Sequence, residues 1–247
     1  MAPVNRKAVA LKAVQDAAEF LRKKFGAARG VQIKADGSLV SEADYGSEKR
    51  ILRAIRKAFP GDAILSEESG EAPGKSGYRW IVDPLDGTHN FLSGIPIFGV
   101  LLALEREGIV ILAVCMFPML DELFIAERGK GAFLNGKRIR VSRKKTLAGS
   151  MILDDSSMDT AHSRLARDLL IFRQERCRVR FLGEGPFGMT RVALGTVDAA
   201  IQRSGKIWDI AAPSLLVQEA GGKVTQSGTT LVATNGSVHR RLLKILA

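Results

Sequence analysis

The segment WIVDPLDGT, residues 80–88, guides the interpretation of the rest of the chain. Its apolar first half is typical of a buried strand, and this run ends on the carboxylate of Asp83. A proline then turns the chain, and Asp86 supplies a second carboxylate three positions after the first. Gly87 allows the backbone to approach a ligand closely, and Thr88 adds a hydroxyl. Carboxylates and a backbone carbonyl that converge from one turn suit hard cations that prefer oxygen.

Further carboxylates follow the same pattern at other predicted element boundaries. Glu67 and Glu68 come directly after a short apolar run, and Asp209 stands at the start of a predicted helix. Each feature alone is an ordinary turn, loop or helix cap. Together the five carboxylates predict a site for two or three magnesium ions. Such ions neutralise phosphate charge and lower the pKa of an attacking water, so the pattern predicts cleavage of a phosphate ester.

Other sites that handle phosphate or metal fit the sequence less well. Residues 70–76 nearly form a P-loop, but the loop is one residue short and leads into a strand rather than a helix. A haloacid-dehalogenase-type phosphatase needs two aspartates separated by one residue, whereas Asp83 and Asp86 are separated by two. The chain also has no G-x-S-x-G nucleophile elbow. The three histidines and the two cysteines have no zinc-ligand or disulfide spacing. Oxygen-ligated magnesium therefore remains the favoured metal.

The first half of the chain predicts helices packed on a sheet. An apolar stripe predicts a helix over residues 6–25, and a second helix follows Ser41, with Asp44 at the spacing of a capping box. Short apolar runs predict strands of a largely antiparallel meander, and Asn135-Gly136 predicts a hairpin turn. The predicted strands are 63–65, 78–82, 97–104, 109–117 and 122–126.

After about residue 145 strands alternate with helices, which predicts an α/β lobe. The predicted strands are 151–153, 179–182 and 197–201, and the predicted helices are 163–172, 188–194 and 210–220. We therefore expect an N-terminal α+β lobe over residues 1–145 that carries the metal motifs. The C-terminal α/β lobe, residues 146–247, would complete the active site.

Composition limits the partners and the location of the protein. The chain has 247 residues, 46% of them hydrophobic, which predicts a folded globular enzyme. The formal charge of +11 indicates an anionic partner. A small phosphorylated metabolite is the expected partner, since no run of basic residues with interleaved aromatics favours nucleic acid. No apolar run approaches the length of a membrane span or a signal peptide, so we expect a cytoplasmic protein without a membrane partner.

Four stretches, taken together, resemble the inositol monophosphatase family. They are Ser41–Asp44, Glu67–Ser69, Trp80–Phe91 and Trp208–Ala212, and they occur in the family's order along nearly the whole chain. The resemblance implies a layered αβαβα sandwich of the sugar-phosphatase type. It also implies a homodimer and lithium-sensitive catalysis with Mg²⁺, for which Mn²⁺ is an alternative.

The resemblance also assigns roles to individual residues. It implies that the attacking water is oriented by Glu67 and Thr88 with support from Asp44, and that the amides of Gly87 and Thr88 bind the phosphate. Lys34 aligns with a lysine that the family places near a metal-binding loop. The metal ligands implied by the resemblance are Glu67, Asp83, the carbonyl of Leu85, Asp86 and Asp209.

The implied substrate side departs from the family pattern. Gly183-Glu184-Gly185 carries a carboxylate where the family has a small hydroxyl, and Gln202 stands where inositol-cleaving members carry a glutamate. Arg203 and Lys206 are candidates for attracting a second phosphate. The expected substrate is a sugar or polyol phosphate such as inositol 1-phosphate. The alternative substrates are fructose 1,6-bisphosphate, histidinol phosphate and a 3′(2′),5′-bisphosphate nucleotide. A binding role on RNA or a transcription complex is the alternative to catalysis.

Overall fold

The computed structural model describes residues 5–27, 30–35, 37–155, 162–183, 185–203 and 205–247, without the side chains of residues 162 and 163. The described helices are α1 (Arg6–Lys24), α2 (Glu42–Ala58), α3 (Thr88–Leu92), α4 (His162–Gln174), α5 (Gly185–Leu194), α6 (Ile207–Glu219) and α7 (His239–Leu246). The described strands are β1 (Gln32–Ile33), β2 (Leu39–Val40), β3 (Ala63–Ser66), β4 (Gly70–Ala72), β5 (Tyr78–Asp86), β6 (Gly99–Arg106), β7 (Ile109–Phe117), β8 (Glu122–Glu127), β9 (Gly131–Leu134), β10 (Lys137–Arg138), β11 (Met151–Asp155), β12 (Arg178–Arg180), β13 (Ala199–Gln202), β14 (Lys223–Ser227) and β15 (Thr230–Thr234). The predicted mixed α/β class is confirmed.

The chain forms two compact units. The first is Met1–Ile125 together with Ile207–Ala212, and the second is Ala126–Lys206 together with Pro213–Ala247. A compact unit need not be a separately folding domain, so the predicted division between residues 145 and 146 stays a prediction. Both the segment 80–88 and the start of α6 belong to the first unit.

The sheet of the first unit combines antiparallel pairs with one parallel pair. Its strands lie in the order β8-β7-β6-β5-β3-β4. β5, β6 and β7 pair antiparallel as predicted, whereas β3 runs parallel to β5. The parallel pair brings the carboxyl ends of β3 and β5 to one edge of the sheet, because parallel strands end on the same side.

Two helices cover this sheet through the apolar stripes that the sequence predicted. α1 packs on β6 and β7, and α2 packs on α1 and β5. Leu21 of α1, Ile51 and Ile55 of α2, and Trp80 and Val82 of β5 all belong to one buried core. Burying a large aliphatic or aromatic side chain contributes about 1.5–3 kcal/mol, so this core holds the helices against the strands that carry the acidic residues.

The second unit has a five-stranded mixed sheet. Its order is β12-β11-β13-β15-β14, with β12, β11 and β13 parallel and the last two strands joined antiparallel. α5 packs on β11 and β13, α4 on β12, and α7 on β15. The predicted alternation of strands and helices is confirmed up to α6, and the hairpin β14–β15 and α7 extend it.

Backbone dihedrals confirm the predicted hairpin turn between β9 and β10. Asn135 and Gly136 both have positive φ, 47° and 77°. Two successive positive φ angles match the twist of the flanking strands, which is why Asn-Gly is favoured there. None of the described helices is both long and apolar enough to cross a membrane.

Candidate active site

A β-bulge at the end of β5 positions Asp83 and Asp86, the two aspartates of the segment 80–88. Asp83 pairs with Leu101 of β6, but Asp86 pairs with Gly99, so three steps along β5 match two along β6. Pro84 lies in this irregular stretch, where its missing N–H costs no ladder hydrogen bond. Asp83 is 1% exposed and Asp86 is 9% exposed, so both carboxylates are buried side by side at the strand end.

The parallel pair β3–β5 brings Glu67 to the same edge. Ser66 is in register with Val82, and the Glu67 N–H donates to the Val82 carbonyl at 3.1 Å. Glu67 and Asp83 are therefore the residues that follow two paired positions on neighbouring strands. The sequence predicted both strands but could not predict that they pair in parallel.

A left-handed glycine turns the chain from β5 into α3. Gly87 has φ +85°, a conformation that costs a residue with a Cβ about 1–2 kcal/mol. Thr88 is the first residue of α3, and the Phe91 N–H donates to the Gly87 carbonyl at 2.9 Å. The backbone thus reverses at the position where the sequence predicted close approach to a ligand.

Asp44 links the start of α2 to Thr88. The capping box is present: Oδ2 of Asp44 accepts from the Ser41 N–H at 2.8 Å and from the Ser41 hydroxyl at 2.7 Å. The Thr88 hydroxyl lies 2.9 Å from Oδ1 of Asp44 and 3.1 Å from the Leu85 carbonyl. Burial raises the pKa of Asp44 above its ordinary value, although the hydrogen bonds from Ser41 and Thr88 oppose the shift.

Lys34 bridges the two glutamates after β3. Its Nζ donates to Glu67 at 2.8 Å and to Glu68 at 2.7 Å. Burial alone would lower the pKa of Lys34, but these two hydrogen bonds outweigh it and raise the pKa. Burial raises the pKa of Glu68 to about 7, against the hydrogen bond from Lys34 and with a further increase from the charge of Glu67. Lys34, which the family resemblance places near a metal-binding loop, thus lies beside Glu67, one of the metal ligands that the resemblance implies.

Asp209 completes the acidic group in the first unit. It lies in the first turn of α6, as the sequence predicted. Burial raises the pKa of Asp83 well above its ordinary value, and the negative charges of Glu67, Asp86, Asp209 and Asp44 raise it further. The acidic side chains named in the sequence analysis therefore act on one another electrostatically.

The donor set of this group fits a hard divalent cation. Its side chains are carboxylates with oxygen donors only, and Leu85, whose carbonyl is a further oxygen donor, lies between Asp83 and Asp86 in the bulged part of β5. Among the described residues, no three His, Cys, Asp or Glu side chains already stand in a metal-holding arrangement. A cation would relieve the repulsion that raises the pKa of Asp83, so charge and donor chemistry both favour a metal such as Mg²⁺.

The predicted substrate residues lie in the second unit, where Gly185 and Gln202 are in contact. A Cβ on Gly185 would lie 2.4 Å from Cδ of Gln202, so only glycine allows this approach. Gln202 is 5% exposed, and its Oε1 is buried without a hydrogen bond. Gly183 has φ +74°, and Lys206 is exposed. Glu184 lies outside the described residues.

Arg203 does not match its expected role in attracting a second phosphate. Its guanidinium lies 2.8 Å from Asp168 and 3.6 Å from Asp154, and Arg203 is only 8% exposed. A buried arginine held by two carboxylates is not available to a soluble anion, and breaking such a pair would leave buried charges uncompensated. Of the two expected cations, Arg203 and Lys206, it is Lys206 that is exposed.

Two acidic residues were missed by the sequence reasoning. Glu48 accepts hydrogen bonds from the Ser66 hydroxyl at 2.5 Å and from the Ser69 N–H at 3.0 Å, and so shapes the loop that carries Glu67. Nothing in the local sequence marks it. Asp155 ends β11 opposite Gln202, and burial raises its pKa to about 6. Its position after an apolar strand repeats the pattern that singled out Asp83 and could have identified it.

Comparisons with known proteins show which family and fold the chain has. The model of the inositol monophosphatase family matches residues 4–243. An inositol-1-monophosphatase from Mesorhizobium japonicum is 38% identical, with 96% of this chain and 94% of that protein covered. A histidinol-phosphatase from Chlorobaculum parvum is 36% identical, with 95% and 94% covered. The crystal structure of the extragenic suppressor protein suhB from Bartonella henselae superposes with a TM-score of 0.93 at 36% identity, covering 97% of each chain.

The family match and the relatives named as phosphatases show that the chain is a phosphoric monoester hydrolase. The chain belongs to the inositol monophosphatase family. This family is generally metal-dependent and acts on small phosphorylated substrates.

Proposed function

We propose that this protein is a Mg²⁺-dependent phosphatase that hydrolyses a small polyol phosphate such as inositol 1-phosphate. The observation that supports this most directly is geometric: the parallel pair β3–β5 brings Glu67 to the strand end at which Asp83 and Asp86 are buried. The residues proposed to hold two or three Mg²⁺ or Mn²⁺ ions are Glu67, Asp83, Leu85 through its carbonyl, Asp86 and Asp209. When bound, the ions supply positive charge to the phosphate and lower the pKa of water.

The side chains around Thr88 are proposed to orient the attacking water. The Thr88 hydroxyl has one proton and two candidate acceptors, Asp44 Oδ1 and the Leu85 carbonyl. Once that proton is committed, an oxygen lone pair of Thr88 can accept a hydrogen bond only from another donor, such as water. Glu67 is proposed to accept the second hydrogen bond of the same water, and the Asp44 carboxylate keeps the Thr88 hydroxyl in place.

The backbone at the start of α3 is proposed to bind the phosphate. Gly87 is the N-cap of α3 and Thr88 its first residue, and backbone N–H groups at a helix start lack intrahelical partners. Gly87 has a left-handed conformation, and because glycine has no Cβ, an oxygen anion can approach its backbone closely.

Gly183, Glu184, Gly185, Gln202 and Lys206 are proposed to contact the alcohol part of the substrate. The neutral Gln202 amide can both donate to and accept from hydroxyl groups, which suits a polyol. Asp155 lies opposite Gln202 on the neighbouring strand and adds a carboxylate to this group. Because a carboxylate attracts a cationic leaving alcohol, histidinol phosphate is the second candidate substrate.

We further propose a cytoplasmic homodimer that lithium inhibits. The homodimer and the lithium sensitivity are expected from the family resemblance. The cytoplasmic location is expected because no apolar run approaches the length of a membrane span or a signal peptide.

Phosphate release from a panel of monoesters tests the proposal. The panel contains inositol 1-phosphate, fructose 1,6-bisphosphate, adenosine 3′,5′-bisphosphate and histidinol phosphate, each with Mg²⁺, with EDTA and with added lithium. We expect turnover that requires Mg²⁺, is lost in EDTA, falls with lithium and is fastest on inositol 1-phosphate. Fastest turnover of histidinol phosphate would select the second candidate. No Mg²⁺-dependent turnover of any compound by a folded sample would contradict the proposed function.

A further inference from the structure

A hollow of about 460 Å³ lies in the second unit, between the hairpin β14–β15, the end of α7 and the start of α4. Its volume falls within the range of about 300–1,000 Å³ that is typical of small-molecule sites. All of its lining residues belong to the second unit, whereas the segment 80–88 belongs to the first. The residues that the argument uses are Arg164, Ser227, Thr230, Val232, Leu243 and Leu246.

The sequence of the hairpin explains why this space is not filled. Ser227 pairs with Thr230 and Thr225 pairs with Val232, so these four side chains share one face of the sheet. α7 packs on β15, and the Thr225 hydroxyl lies 2.8 Å from Nε2 of His239 in α7, so this is the face that α7 covers. Towards the hairpin turn this face carries small side chains where a filled core needs large ones, and the gap to the end of α7 stays open.

The lining of the hollow includes a positive charge and hydroxyl groups that are available to a ligand. Arg164 is exposed and forms no ion pair with another described residue, whereas Arg167 of the same helix binds Asp168. Within the described part of the chain, the hydroxyls of Ser227 and Thr230 have no hydrogen-bond partner. A guanidinium and hydroxyls are donors for which a carboxylate is a strong acceptor.

The lining of the hollow also includes an apolar surface. Val232 is 2% exposed and belongs to the core of the second unit, and Leu243 and Leu246 are half-buried against that core. An aliphatic chain in contact with these side chains leaves water, which is favourable in proportion to the apolar area that is buried. The hollow therefore combines hydrogen-bond donors, one positive charge and an apolar wall.

We propose that this hollow binds a small amphipathic carboxylate, such as a medium-chain fatty acid. Its carboxylate accepts from Arg164 and from the hydroxyls of Ser227 and Thr230, and its aliphatic chain packs on Leu243 and Leu246. A monoanion fits better than a phosphate dianion, because Arg164 is the single cation among the described residues that line the hollow. The site needs no metal and is independent of the proposed phosphatase activity.

A titration with octanoate, followed by NMR of the histidine rings at constant pH, tests this site. His239 is a local reporter, because the Thr225 hydroxyl that lies 2.8 Å from its Nε2 also lines the hollow. His89 in α3 belongs to the first unit and is the internal control. With EDTA present, so that no divalent cation holds the carboxylate, octanoate should shift the His239 signals with a dissociation constant below about 1 mM. The His89 signals should not move.

Two variants separate the charge of the hollow from its shape. Arg164→Gln should weaken octanoate binding about tenfold, to the affinity of the uncharged octanol, since hydrogen bonds to charged groups are the stronger ones. Ser227→Trp fills the space with an indole ring and should abolish the binding of both compounds. The matched control is Arg173→Gln, which removes another exposed cation of α4 and should bind octanoate like the wild type. All three variants should keep the wild-type melting temperature, because the three side chains are exposed.

Several results would each overturn the proposal. An unchanged His239 signal throughout the titration would show that the hollow holds only water. Equal wild-type affinity for octanol and octanoate, or equal weakening by Arg164→Gln and Arg173→Gln, would remove the role of the charge. A His89 shift with the same midpoint, or unchanged binding by a folded Ser227→Trp variant, would place octanoate elsewhere. Tighter binding of inorganic phosphate than of octanoate at the His239 reporter would assign the wrong class of anion.

Discussion

At the scale of single residues, Asp83 is a buried carboxylate whose negative charge destabilises the folded protein when no cation is bound. Its carboxylate is 1% exposed and faces the charges of Glu67, Asp86 and Asp209, so its ionised form is costly in the folded protein. A group kept in so unfavourable an environment is typical of a functional site rather than of a structural one. A bound cation would reverse the effect, because the same field would then favour the negative charge.

We predict that Asp83→Asn abolishes phosphatase activity without unfolding the protein. Asn keeps the oxygen that accepts the Leu85 N–H at 3.1 Å but removes the negative charge. Mg²⁺-dependent turnover should fall by more than about hundredfold, the upper end of the cost of disturbing the partner of a metal ligand. In EDTA the melting temperature should equal or exceed that of the wild type. Retained turnover in the folded variant would refute the role given to Asp83.

The hydroxyl of Thr88 can be tested with a matched pair of substitutions. Thr88→Val keeps the side-chain shape but removes the group that contacts Asp44 at 2.9 Å, whereas Thr88→Ser keeps the hydroxyl. We expect kcat to fall about hundredfold or more in the valine variant, the lower end of what positioned proton transfer contributes. The serine variant should stay within about tenfold of the wild type. Equal kcat values for the two variants would show that the hydroxyl takes no part.

At the scale of elements, α7 is joined to the hairpin β14–β15 through a buried histidine. Nε2 of His239 lies 2.8 Å from the Thr225 hydroxyl, and Nδ1 lies 2.9 Å from the Thr234 hydroxyl. Burial lowers the pKa of His239 below its ordinary value, and the charge of Lys223 lowers it further. The folded protein therefore holds this ring neutral at pH values where the unfolded chain already protonates it.

The sign of the resulting pH dependence follows from proton linkage. Between the lowered pKa and the ordinary value of 6.5 the unfolded chain binds more protons, so stability falls as the pH drops through that window. The slope from this one residue is at most about 1.4 kcal/mol per pH unit. In urea titrations at pH 7 and pH 5, His239→Gln should lose less free energy of unfolding than the wild type. An equal or larger loss in the variant would contradict this origin of the acid sensitivity.

At the scale of the whole molecule, metal binding should be visible as stability. An ion that binds only the folded chain adds about 2.7 kcal/mol of free energy of unfolding at a hundred times its dissociation constant. For a chain of this size we expect Mg²⁺ to raise the melting temperature by several degrees, about 2–4 °C per kcal/mol. EDTA should reverse the rise, and Asp83→Asn should reduce it. No change in the wild-type melting temperature at millimolar Mg²⁺ would contradict the proposed site.

Local chemistry in the sequence was sufficient to predict most of the candidate site and the fold class. Asp83, Asp86 and Gly87 lie within five successive positions of the chain, so they must lie near one another in any fold. The capping box of Ser41 and Asp44 and the Asn135-Gly136 turn are likewise interactions between near neighbours. The apolar stripes of α1 and α2 depend only on helical period.

The tertiary structure decided what depends on partners distant in the chain. It placed Glu67 beside Asp83 through the parallel pairing of β3 and β5, and it buried Arg203 between Asp168 and Asp154. It also tied the loop of Arg143 and Lys145 to the turn before β12, although the sequence shows only scattered basic residues. Which strands pair and in which register is fixed by the packing of the whole core, and a local pattern of residues does not contain that information.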